Sequence, residues 1–79
     1  MRQLVCTLEY KWSHQDTSME QLWIRREIGD RKFRELQKYP YTVEHEPSKT
    51  LPADVYCEAR VWVTVPDDAQ GTHWLLANT

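Results

Sequence analysis

Three histidines, two cysteines and several closely spaced carboxylates are the residues of this chain with the means to do chemistry. His45 and His73, carried on adjacent strands near Cys57, would make either a Cys/His metal site or a nucleophile with its base. The spacing favours neither. Cys57 falls in phase with Val55, Ala59 and Val61 on one side of an alternating run, where a thiol is buried and inert. Cys6 lies far from Cys57, and neither belongs to a C-x-x-C pair, so no disulfide framework or zinc site is expected. His14 lies in a polar loop. Glu44 and Glu46 flank His45 on a strand, while Asp67 and Asp68 belong to a turn; neither pair is set up for acid–base work. Gly29 and Gly71, the only glycines, are too few for a phosphate-cradling loop. The expectation is a non-enzymatic protein with no cofactor and no metal.

Charge offers a binding chemistry instead. Six of the ten Lys and Arg residues (Arg25, Arg26, Arg31, Lys32, Arg34 and Lys38) fall in the stretch from Thr17 to Tyr41. At helical spacing Arg31, Arg34 and Lys38 share a side, a positive end suited to an acidic protein or to phosphate. The plainer alternative is a solvated helix whose acids come early and whose bases come late, as the helix dipole favours, with Glu27 and Arg31 as a stabilising pair. Residues 1–38 carry eight Lys/Arg against six Asp/Glu, and residues 39–79 carry two against six. A net charge of -2 so divided argues against a nucleic-acid binder, which needs a dense positive footprint.

The elements that must position these groups follow from hydrophobic periodicity. From Gln3 to Trp12 the chain alternates, with Leu4, Cys6, Leu8, Tyr10 and Trp12 on one side, as a half-buried strand does. After a polar turn, Thr17-x-x-Glu20 and Ser18-x-x-Gln21 are overlapping capping boxes that start a helix. Its stripe of Met19, Leu22, Trp23, Phe33 and Leu36 faces the core. Arg26 and Asp30 fall within that stripe, which implies either a partly buried ion pair or a local break at Gly29-Asp30. Tyr39-Pro40-Tyr41 ends the helix. Tyr41 to Glu46 is a short second strand, Val55 to Val65 a long central one, and Thr72 to Ala77 a final one after the turn from Pro66 to Gly71.

The fold class expected is α+β in the order β-α-β-β-β, one long helix lying on one face of a largely antiparallel four-stranded sheet, with residues 1–79 as a single domain. The N-terminal apolar run is too short for a signal peptide, and no stretch reaches the roughly 18 apolar residues of a membrane span. A soluble, cytoplasmic protein is expected, without a membrane partner.

One helix leaves one sheet face bare. That face is expected to carry Val5, Tyr56, Trp62, Trp74 and Leu76 among Glu9, Lys11, Glu44, Glu58 and Arg60, an aromatic patch in a polar rim. Tyr56, Trp62 and Trp74 would anchor a protein partner, with Glu58 and Arg60 supplying directional contacts. An accessory or inhibitory protein of a bacteriophage or mobile element suits this size and lack of catalytic motifs. The alternatives are cross-strand aromatic pairs that only stabilise the sheet, closure of the face by a homodimer, and a nucleic-acid-binding module that stacks bases on the sheet aromatics and holds phosphates with Arg31, Arg34 and Lys38.

Overall fold

The computed structural model describes residues 1–14 and 17–78, the side chain of Thr17 excepted. The elements are β1 (Arg2–Lys11), α1 (Thr17–Ile28), α2 (Asp30–Leu36), β2 (Tyr41–Pro47), β3 (Tyr56–Thr64) and α3 (Ala69–Asn78), with a 3-10 turn at Trp12–His14. The strands form a three-stranded antiparallel sheet in the order β1-β3-β2. The α+β class stands, but the four-stranded sheet and the single long helix do not. Three short helices take their place.

The core lies on one face of the sheet. Cys57, Ala59, Val61 and Val63 of β3 are fully buried there, as are Ile24 of α1 and Leu36 of α2. Each of the Val, Ile and Leu side chains among them contributes about 1.5–3 kcal/mol by leaving water. Tyr56, Glu58, Arg60 and Trp62, the alternate residues of β3, are only partly covered.

The expected helix is divided at Gly29, whose φ of 87° and ψ of 162° lie outside helical geometry. The Gly29 amide closes α1 on the Arg25 carbonyl at 2.8 Å, and its carbonyl accepts the Phe33 amide at 3.0 Å to open α2. This positive φ favours glycine because any L side chain there crowds its own backbone. The break resets the helical phase, so the expected stripe is only half right. Phe33 and Leu36 are buried, whereas Met19 and Leu22 are exposed and Ile24 takes the core position of α1. Asp30 pairs with Arg25 at 2.8 Å, not with Arg26. Arg26 instead lies 5.6 Å from the centroid of the Trp23 ring. Glu27 and Arg31, now on different helices, form no ion pair among the described residues. The capping boxes fall partly outside the described residues, since the Thr17 side chain is not among them.

The final strand expected at Thr72 to Ala77 is helix α3. Asp68 starts it, its Oδ1 accepting the amides of Gln70 and Gly71 at 2.9 and 3.1 Å and so satisfying donors that a helix start leaves free. Covered residues then recur at helical intervals, Gly71, Trp74 and Leu75 with Asn78 a turn further on. Strand alternation would have put Trp74 and Leu76 on one side, yet Trp74 is 8% exposed and Leu76 is 77% exposed. Gly71 permits the close docking, because a Cβ at that position would lie 1.7 Å from the Pro66 carbonyl oxygen. The Trp74 indole donates to the Glu35 carbonyl at 3.1 Å, which ties α3 to the last turn of α2.

A third difference is a β-bulge. The pairing of β1 with β3 slips between Leu4 and Cys6, so that Leu4 stands opposite Trp62 while Cys6 stands opposite Val61. The extra residue inverts the alternation ahead of it. Val5 therefore packs against the core, and Leu4, expected inside, is 39% exposed beside Trp62.

Candidate protein-binding face

All three helices pack on the Cys57–Val63 side, and the opposite side of the sheet is open. Successive cross-strand rows on it can be followed from the register. Leu4, Trp62 and Thr42 form the first; Thr7, Arg60 and Glu44 the second; Glu9, Glu58 and Glu46 the third; Lys11 and Tyr56 the last. The face thus runs from an apolar row, past Arg60, to an acidic row that Lys11 and Tyr56 follow.

At the apolar end, the Arg2 guanidinium carbon sits 4.1 Å from the centroid of the Trp62 ring and the same side chain is ion-paired with Glu44. This stacking holds the indole flat beside Leu4. The Trp62 Nε1 is turned out of solvent with no acceptor among the described residues. An N–H in that state costs about 1–3 kcal/mol.

At the acidic end, three carboxylates stand side by side across three strands, an arrangement that like-charge repulsion opposes. Arg60 relieves it, with Nη1 donating to Glu46 at 3.0 Å and Nη2 lying 2.9 Å from Glu58. Glu9 is held separately. It accepts the hydroxyls of Ser48 and Thr50, each at 2.9 Å, and buried Ser48 in turn accepts the Leu51 amide at 3.0 Å. The loop from Ser48 to Val55 is further tied to β1 through Trp12, whose Nε1 donates to the Ala53 carbonyl at 3.0 Å. These polar groups are therefore preorganised, because each is fixed by at least one partner.

Of the expected anchors, the sheet brings Tyr56, Glu58, Arg60 and Trp62 onto one face in register. Trp74 is on the helical side, edge-on to Tyr39 with ring centroids 5.9 Å apart, and takes no part in the face. Leu4 and Arg2 belong to it although the alternation assigned Leu4 to the core. Nothing in the local sequence announces the bulge that moves it.

The expected cationic trio is also divided. Arg31 and Lys38 line a groove between α2 and α3 that includes His73, while Arg34 lines a separate hollow with Arg25, Asp30 and Phe33. Lys38 is paired with Glu35 at 3.0 Å.

The histidine and cysteine residues do not converge. His73 is on α3, far from the strands where it was expected. His45 instead meets Glu20 of α1, its Nε2 lying 2.7 Å from Oε2, and the Tyr10 hydroxyl donates to that same oxygen at 2.8 Å. The Tyr10 oxygen and His45 Nε2 are 2.9 Å apart. With Nε2 protonated, phenol and imidazole both donate to one carboxylate. Burial first, then the hydrogen bond and charge of Glu20, push the Tyr10 phenol well above its ordinary 10.0. A phenol held so firmly in its protonated form is a donor that fastens the first turn of α1 to the sheet, not a base. Cys57 is fully buried, and that burial raises its thiol above the ordinary value. His14 is exposed. Among the described residues no group of three or more His, Cys, Asp and Glu is placed to hold a metal ion, and no helix is long and apolar enough to cross a membrane.

No protein-family model, curated protein or solved structure matches this chain.

Proposed function

We propose that this chain is a non-catalytic binding protein that occupies the surface of another protein with the open face of its sheet. The observation that carries this reading is the Leu4–Trp62 pair, a partly exposed apolar pair on neighbouring strands, bordered by charges already fixed in place. Aromatic anchors of this kind contribute most of the energy in protein interfaces, and the polar surround supplies orientation. Trp62 and Leu4 would fill the centre of the contact. Arg60, Glu58 and Tyr56 would set its register, with Arg2 moving with the indole it covers.

Nucleic acid fits the face less well. Trp74 is unavailable as a stacking platform, and Glu9, Glu44, Glu46 and Glu58 would meet the phosphates. Self-association through the same face is the rival occupant, and an accessory or inhibitory role is a further step that depends on the partner.

Affinity isolation from the native host, followed by mass measurement of the intact complex, tests the reading. One stoichiometric protein is expected with the native chain, and Trp62→Ala should weaken its binding by about 2 kcal/mol or more, roughly 30-fold. Recovery of a lone dimer, or of a complex indifferent to Trp62→Ala, would oppose it.

A further inference from the structure

The groove between α2 and α3 has a volume of about 620 Å³, within the range of small-molecule and side-chain sites and remote from the open face. Arg31, Lys38 and His73 supply its polar wall, with Tyr39 and Trp74 beside them. Arg31 has no acidic partner among the described residues, unlike Arg2, Arg25 and Arg60. It is exposed, as is His73. We propose that this groove is a second docking site, independent of the sheet face, which takes a short acidic segment of another protein through a carboxylate held by Arg31 and His73.

The chemistry of the groove selects a peptide carboxylate over a nucleic-acid phosphate. Helix N-termini bind phosphate with free amides, but at α3 the amides of Gln70 and Gly71 are already taken by the Asp68 carboxylate. Bases need open ring faces to stack on, whereas Trp74 is 8% exposed and meets Tyr39 edge-on at 89°. Glu35, which neutralises Lys38, places a negative charge in the same wall and weakens attraction for a polyanion. What remains is one strong cation, one imidazole donor and a partly apolar lining. A single carboxylate answers Arg31 in the bidentate geometry that guanidinium favours, and an adjacent aliphatic side chain can rest against Ala69 and Ala77 of α3.

An NMR titration of the whole chain tests this, with an N-acetylated, C-amidated peptide of alternating Glu and Leu as the probe. The expected result is a shift of the Arg31 and His73 amides and of the Trp74 indole N–H, with no such shift from the matched Gln-Leu peptide. Arg31→Glu and His73→Glu should each weaken binding by about tenfold. Both positions are exposed, so a dispersed spectrum will confirm that the variants fold, and the comparison of the two peptides needs no variant at all. Equal binding of the Gln-Leu peptide would overturn the proposal, as would no shift at millimolar peptide. So would shifts confined to Trp62 and Arg60, or a stronger response of the groove to single-stranded oligothymidylate. Loss of the groove site would leave the sheet-face reading untouched, because the two sites report through different residues.

Discussion

A single residue, Trp62, shows how a side chain acquires a role that its own position in the sequence does not reveal. It was legible from simple alternation as an aromatic of the face opposite the buried side of β3. Its neighbours were not, because Leu4 reaches it only through the slip at Val5 and Arg2 only through an ion pair with Glu44 on the far strand. The Tyr10–Glu20–His45 cluster was equally hidden, its members being brought together from three elements. That cluster and the thiols make a prediction about pH. The Cys6 thiol is pushed up from 9.0 to about 11 by burial and by the charge of Glu27. In that interval the unfolded chain loses the proton while the folded chain keeps it, so the stabilisation is complete below pH 9 and is lost as pH rises towards 11. Tyr10, raised above 10.0, adds to the loss from pH 10 upward. Urea midpoints should therefore fall across this range, and Cys6→Ala should flatten the first part of the fall. A midpoint that holds steady to pH 11 would contradict this assignment of protons.

The elements were legible in proportion to how strongly their own periodicity spoke. All three strands lie within a residue or so of where alternation put them, because each has one face on a core. The helices fared worse. Gly29 was seen as a place for a break, but whether a glycine interrupts a helix depends on what the following turn packs against, and here Phe33 and Leu36 need a new phase. Residues Thr72 to Ala77 suffered from short length, turn-like residues before them, and a Gly and Thr of low helix propensity at the start. The helical interval from Gly71 to Trp74 and Leu75, opened by Asp68 as a cap, was the signal that outweighed them. The two glycines should separate experimentally. Gly71→Ala forces a Cβ against the Pro66 carbonyl and should cost about 2–3 kcal/mol while displacing the Trp74 indole resonance. Gly29→Ala has open space around it, so only the backbone strain remains, about 1–3 kcal/mol at dihedrals that L residues scarcely adopt, with the Trp74 resonance in place. Equal losses with equal effects on Trp74 would mean that α3 is not held by that close approach.

At the scale of the whole molecule, the one-sided placement of the helices is what the proposed function rests on. A three-stranded sheet with every helix on one face must expose the other, and this exposure was foreseen even though the strand count and helix number were not. Its two edges are less inviting to a partner. β1 is bulged and β2 is bracketed by Pro40 and Pro47, features that discourage strand addition. On the proposed reading the partner meets the face, where Trp62 lies in the strand shared by both neighbours. The most direct measurement places the photocrosslinking residue benzoylphenylalanine at Thr42, exposed and opposite Trp62 on β2, in the native host, alongside the same replacement at Leu76, which is 77% exposed on the helical side. Binding through the sheet predicts a single covalent adduct to one other protein from position 42 and none from position 76. Equal adducts from both positions, or an adduct from position 42 only to a second copy of this chain, would contradict it.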